Sequence, residues 1–212
     1  PEFDPAYSAD GIYFSFLRAT GGLQVSLVIR HRKSKEEVVI APESGFSGYR
    51  TPAIAPDSSE MLFSFANNFA QDIFRVDMKG GGRTALTGAK GINVWPSYSP
   101  DGTKVLFTST RDGNYELYEM KPDGSDIKRL TDSPYQDIRG QYSPDGKRIA
   151  FVSHRDGNAE IYLCNADGTN VRRVTNHEER DDYPTWHPDG KHLVCVAERE
   201  GSHDLYLLPL GD

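Results

Sequence analysis

The sequence predicts an all-β fold, a β-propeller of four-stranded antiparallel blades with five repeat units visible, on three observations. A tight turn close to Pro-Asp-Gly recurs along the chain, and its aspartates Asp10, Asp57, Asp101, Asp145 and Asp189 stand 47, 44, 44 and 44 residues apart. Between these turns the apolar residues follow strand patterns, and no segment keeps the i, i+3, i+4, i+7 spacing of a helix over three turns. A period in the forties made only of strands is the length of one propeller blade. The whole of residues 1–212 reads as a single propeller domain, with units at about 5–51, 52–95, 96–139, 140–183 and 184–212.

Each strand of a unit has its own signature. The first is short and opens on Pro or Gly (Pro96–Ser99, Gly140–Ser143, Pro184–His187), with Tyr98, Tyr142 or Trp186 inside it. It suits the crowded wall of a central channel. The Pro-Asp-Gly that follows presets φ at Pro and supplies Gly where φ must be positive, so it is a hairpin turn by mechanism. The second strand is an apolar run (Met61–Phe65, Val105–Phe107, Ile149–Val152, Leu193–Val196), as a sheet covered on both faces requires. The third opens on a carboxylate and alternates (Asp72-Ile73-Phe74, Glu116-Leu117-Tyr118, Glu160-Ile161-Tyr162, Asp204-Leu205-Tyr206). The fourth is polar and rich in Lys and Arg (Glu36–Ile40, Arg83–Leu86, Asp126–Leu130, Val171–Val174), which protects an outer edge from pairing with other chains. The first unit is the most eroded. It lacks the Arg-Asp-Gly-Asn run and carries three extra residues near His31–Lys35. The chain starts four residues before its first strand-opening Pro and stops after the third strand of the fifth unit. It is therefore expected to be a piece of a longer propeller.

Bulk composition narrows the function. With 37% hydrophobic and 11% aromatic residues the chain can pack a layered core. A net charge of −7 argues against a nucleic-acid binder or an anionic-membrane binder, both of which need a basic face. No apolar run reaches the roughly 18 residues that insertion as a spanning helix takes. Cys164 and Cys195 sit at strand positions held elsewhere by Met120 and Phe107, so they are expected to be buried thiols; a disulfide between neighbouring sheets is the alternative.

The pattern Pro-x-[Tyr/Trp]-x-Pro-Asp-Gly-Lys, then Ser-x-Arg-Asp-Gly-Asn-x-Glu-[Ile/Leu]-Tyr, then Asp-Gly and Arg-[Leu/Val]-Thr resembles the WD-like repeat of TolB-type β-propellers. It is nearly intact in 96–131 and 140–175 and partial in 52–87 and 184–209. The resemblance implies a non-enzymatic scaffold that binds a protein or peptide, in the periplasm or outside the cell. Related propellers also serve as gating domains of prolyl-oligopeptidase-like serine peptidases and as oligogalacturonate lyases, so a substrate-binding or gating propeller of a larger enzyme is the alternative. Fold alone does not choose between them.

The tempting motifs have plain structural explanations. Arg111-Asp112-Gly113-Asn114 and Arg155-Asp156-Gly157-Asn158 recur because every such loop turns the same way, and Glu116 and Glu160 are expected to hold neighbouring loops by hydrogen bonds. No pair among the six histidines shows the tight ligand spacing of a zinc site, although the lyase resemblance would imply histidines holding a metal in the channel. The acidic run Glu178–Asp182 reads as a solvated loop, with a calcium contact or a basic partner as alternatives. No Gly-x-Ser-x-Gly elbow, phosphate loop or paired carboxylates stand out, so no catalytic residue, metal ligand or cofactor is expected.

Topology gives a better lead. Strand alternation puts all the short Asp-Gly turns on one face and the longer, variable loops on the other, where binding generally resides. The residues just before each first strand then meet at the channel mouth: Tyr49, Arg50, Trp95, Arg139, Asp182 and Tyr183. Aromatics and arginines on one axis match the composition of protein-binding hot spots, giving a candidate partner site. The competing reading is that these rings merely plug the channel.

Overall fold

The computed structural model describes residues 1–21, 24–41, 50–67, 70–88 and 90–211. They form five antiparallel sheets in chain order, each with its strands side by side in sequence order. Blade 1 holds β1 (Glu2–Tyr7), β2 (Tyr13–Gly21), β3 (Gln24–His31) and β4 (Glu37–Ile40). Blade 2 holds β5 (Arg50–Ile54), β6 (Glu60–Asn67), β7 (Ala70–Asp77) and β8 (Thr84–Ala85). Blade 3 holds β9 (Asn93–Tyr98), β10 (Val105–Ser109), β11 (Glu116–Met120) and β12 (Lys128–Arg129). Blade 4 holds β13 (Asp137–Tyr142), β14 (Arg148–Ser153), β15 (Glu160–Asn165) and β16 (Arg172–Arg173). Blade 5 has three strands among the described residues: β17 (Asp181–Trp186), β18 (His192–Arg199) and β19 (Ser202–Pro209).

Two strand types differ from the sequence reading. The inner strands of blades 3 to 5 begin three residues upstream of the expected Pro or Gly, and each contains a β-bulge there. The outer strands β8, β12 and β16 are only two residues long. After one more backbone bond (Leu86 N–H to Ile73 O at 2.8 Å, Leu130 N–H to Leu117 O at 2.8 Å, Val174 N–H to Ile161 O at 2.7 Å) the chain leaves the ladder. A conserved-geometry threonine takes over at each exit: Thr131 and Thr175 donate to Glu116 and Glu160 and accept from the Leu117 and Ile161 amides. The two glutamates, fully buried, thus hold the following loops as expected, accepting also from the Ser133 and His177 amides at 2.7 Å.

The apolar core lies between blades, and each blade is two-sided. Towards the next blade it shows aliphatic side chains, such as Leu106 and Leu117 of blade 3. In blades 2 to 4 the side towards the previous blade carries larger rings, such as Phe151 and Tyr162 of blade 4, which pack on those leucines; blade 5 puts Leu193, Cys195 and Ala197 there. The same arrangement joins Leu62 and Ile73 to Phe107 and Tyr118 across blades 2 and 3. Burying each such ring contributes about 2–3 kcal/mol relative to exposure. Tyr98 OH donates to Glu60 Oε1 at 3.1 Å, Tyr142 OH to Glu119 Oε2 at 2.7 Å and Trp186 Nε1–H to Gln141 O at 3.0 Å, so the inner-strand aromatic ties each blade to its predecessor. On β19, Leu205 and Leu207 stand exposed on the face turned away from blade 4.

Both cysteines are free and buried, each facing the preceding blade, so the disulfide alternative falls away. Burial pushes the Cys164 thiol up to about 12 and the Cys195 thiol up to about 11. Only the thiolate reacts, so native protein at pH 8 is expected to label with a disulfide reagent at least about a hundredfold more slowly than urea-unfolded protein. The folded state holds these protons more tightly than the unfolded one. Stability is therefore expected to fall as pH rises from about 9 towards 12. Rapid labelling of the native protein would contradict the burial.

Candidate functional site: the channel mouth

The bulge in each inner strand puts one residue in the left-handed region: Asp4 (φ 50°), Thr51 (48°), Trp95 (53°), Arg139 (57°) and Tyr183 (53°). Such backbone in a residue other than glycine costs on the order of 1 kcal/mol, and a bulge re-aims the side chain it carries. All five line a central channel of about 670 Å³. The following residue is Pro in four of the blades. It lines the same wall and removes a backbone donor from the free inner edge, which blocks unwanted strand pairing. Blade 4 has Gly140 instead. A Cβ there would lie 2.6 Å from Leu106 Cδ2, so the glycine lets this strand approach blade 3.

Four of the expected site residues come together at this mouth. The Arg139 guanidinium lies over the Trp95 ring (4.5 Å to the centroid) and over the Tyr183 ring (4.1 Å), a cation held between two aromatic faces. Arg139 Nη2 donates to Tyr183 OH at 3.1 Å, and Nη1 donates to both Asp182 carboxylate oxygens at 2.8 and 2.9 Å. Asp182 is buried and also ion-pairs with Arg180, so it orients Arg139 from below and is not itself presented to solvent. Tyr183 is 53% exposed, and Arg139 Nε is a buried donor without a partner. Tyr49 lies outside the described residues, and Arg50 is described only as backbone of β5. Val94 and Ile138, the neighbours of Trp95 and Arg139, turn into the core.

The Arg-Asp-Gly-Asn runs are built into the scaffold. Asn114 Nδ2 donates to Ser133 O and Tyr135 O, and Asn158 Nδ2 donates to His177 O and Glu179 O. Tyr118 OH donates to Asp112 and Tyr162 OH to Asp156, while Arg155 pairs with buried Asp137 at 2.8 Å. The acidic run differs from the sequence reading. Asp181 and Asp182 are buried in β17, where Arg199 pairs with Asp181 at 2.9 Å and Arg139 with Asp182. Only Glu178 to Arg180 remains outside a strand.

None of the described residues lining the channel is a histidine. Away from the channel, contrary to the expectation from spacing, two histidines do stand close to one carboxylate. His187, Asp189 and His192 each bring a potential ligand atom within 4.8 Å of the others. The signal was present in the sequence as His-x-Asp-x-x-His across the two arms of one hairpin turn.

Five pseudo-equivalent blades about a lined channel define a β-propeller of WD-like repeats. The chain belongs to the TolB β-propeller family: the family model "TolB beta propeller domain" matches residues 1–141 and 132–212. Among solved structures it is similar to TolB from Acinetobacter baumannii, at 23% identity and a TM-score of 0.83, covering 99% of this chain and 52% of that one. A putative TolB from Agrobacterium tumefaciens is also 23% identical, with a TM-score of 0.72 over 99% of this chain and 74% of the other. An oligogalacturonate lyase from Vibrio parahaemolyticus shares the fold at 18% identity and a TM-score of 0.71, over 98% and 62%. This chain thus spans about half the length of the Acinetobacter protein. No curated protein matches it.

Proposed function

We propose that this chain is a non-enzymatic scaffold that binds a protein or peptide partner on the loop face, at the channel mouth, in the periplasm or cell exterior. The observation that carries the reading is the Trp95–Arg139–Tyr183 stack, with Tyr183 half in solvent. Buried Trp, Tyr and Arg dominate binding energy at protein interfaces, and a guanidinium between two rings is held in place before a ligand arrives. The compartment follows the TolB resemblance.

The test is affinity capture from a periplasmic extract, followed by titration of the purified partner against the Trp95→Ala/Arg139→Ala double variant. Hot-spot truncations of about 2 kcal/mol each predict a loss of roughly a hundredfold or more in affinity, with the circular dichroism spectrum unchanged. An unchanged dissociation constant overturns the reading. A native reading frame that continues into a lyase or peptidase domain would favour the larger-enzyme alternative.

A further inference from the structure

The first turn of blade 5 departs from its siblings in a chemically specific way. In blades 1, 3 and 4 the turn is organised by a serine: Ser8, Ser99 and Ser143 each donate to the turn aspartate at 2.6 Å and accept the backbone N–H five residues on. Blade 5 replaces that serine with His187 and carries His192 where blade 4 carries Arg148. His187 Nδ1 lies 3.1 Å from Asp189 Oδ1, and His192 Nδ1 lies 2.7 Å from Asp189 Oδ2. The two rings are 5.9 Å apart between centroids and nearly perpendicular.

We propose that His187, Asp189 and His192 form a binding site for a first-row divalent transition metal, zinc being the best match. Two imidazoles and a carboxylate are the donor set that zinc takes, with one position left to water. Ligand atoms about 2.0–2.1 Å from zinc in a tetrahedron are about 3.3 Å apart; His187 Nδ1 and His192 Nδ1 face different oxygens of Asp189, and all three groups lie within 4.8 Å of one another, so closing on one ion takes side-chain rotation within the turn. The hairpin is already rigid. His187 N–H donates to His192 O and Gly190 N–H to His187 O, both at 3.0 Å, and the Lys191 amide donates to Asp189 Oδ1 at 2.8 Å. Arg148 is engaged beside the turn: it donates to Gly190 O at 2.6 Å and lies over the Trp186 ring. The three side chains are part-exposed, which leaves an entry path for the ion and room for the water. They follow β17, whereas Asp182 and Tyr183 lie near its start, so this site is independent of the proposed partner site.

The test is calorimetric titration of untagged, chelator-treated protein with zinc chloride. The expected result is one equivalent bound and a melting temperature raised by saturating zinc. The double variant His187→Ser/His192→Arg rebuilds the blade 4 turn and is expected to fold. It should bind zinc at least about a hundredfold more weakly, because losing even a group that only supports a ligand costs 10–100-fold. His203→Gln, which removes a histidine 3.7 Å from Glu198, should leave binding unchanged. No saturable binding by the wild type, or equal affinity in the double variant, overturns the proposal.

Discussion

Replacing Phe151 with alanine lowers stability by about 3–5 kcal/mol and the melting temperature by roughly 10 °C or more. Phe151 is fully buried at the interface of blades 3 and 4, where it faces Leu106 and Leu117 and packs beside Tyr162 with ring centroids 5.8 Å apart. Removing the ring leaves a cavity bounded by two sheets that are each fixed by their own hydrogen bonds, so the site collapses poorly. The matched control is Phe16, at the same position of blade 1. It belongs to none of the interblade clusters, and the guanidinium groups of Arg18 and Arg30 lie over it at 5.1 and 4.7 Å. Those flexible side chains can fold into the gap, so Phe16→Ala is expected to cost clearly less. Thermal melts of the two variants decide it: equal losses would mean that blade-to-blade packing is not where the stability resides.

Glu160→Ala is expected to cost about 3 kcal/mol. This carboxylate has no solvent exposure and accepts from Thr175 Oγ1 at 2.5 Å, His177 N at 2.7 Å and Arg173 Nη2 at 2.7 Å. Alanine strands the three donors together, although Arg173 keeps Asp156 at 3.3 Å and part of its solvation. Glu160→Gln keeps an acceptor for the His177 amide but turns an N–H₂ towards Thr175, so it is expected to fall between wild type and alanine. Urea midpoints give the order, and amide exchange at His177 gives the locality. If His177 stays protected in Glu160→Ala, the loop is held by something other than this carboxylate.

Much of the fold was legible because turn chemistry is local. An Asp-Gly pair forces a particular backbone wherever it stands; Gly102, Gly146 and Gly190 indeed have φ of 71°, 69° and 67°. The strand order, the three-stranded last sheet, the buried cysteines and the structural role of the Arg-Asp-Gly-Asn runs follow from that repetition. Contacts between distant residues left no such trace. Asp181 and Asp182 read as a solvated run because the arginines that neutralise them, Arg199 and Arg139, lie 18 and 43 positions away in sequence. The left-handed residues were placed outside the inner strands because a bulge has no composition of its own: Asp, Thr, Trp, Arg and Tyr all occupy it. The histidine pair of blade 5 shows no close ligand spacing along the chain because its two members, five residues apart, meet across a hairpin turn.

The five bulged positions have one more consequence. Their main-chain geometry is almost identical from blade to blade, φ running only from 48° to 57°, yet the side chains they carry are all different. Asp4 and Thr51 make one sector of the rim hydrophilic and acidic, while Trp95, Arg139 and Tyr183 make the opposite sector aromatic and cationic. A guest approaching along the pseudo-symmetry axis therefore does not meet five equal settings. For the partner proposed above, the rim would work as a compass dial with a single north, favouring one rotational pose on a scaffold whose backbone treats them all alike.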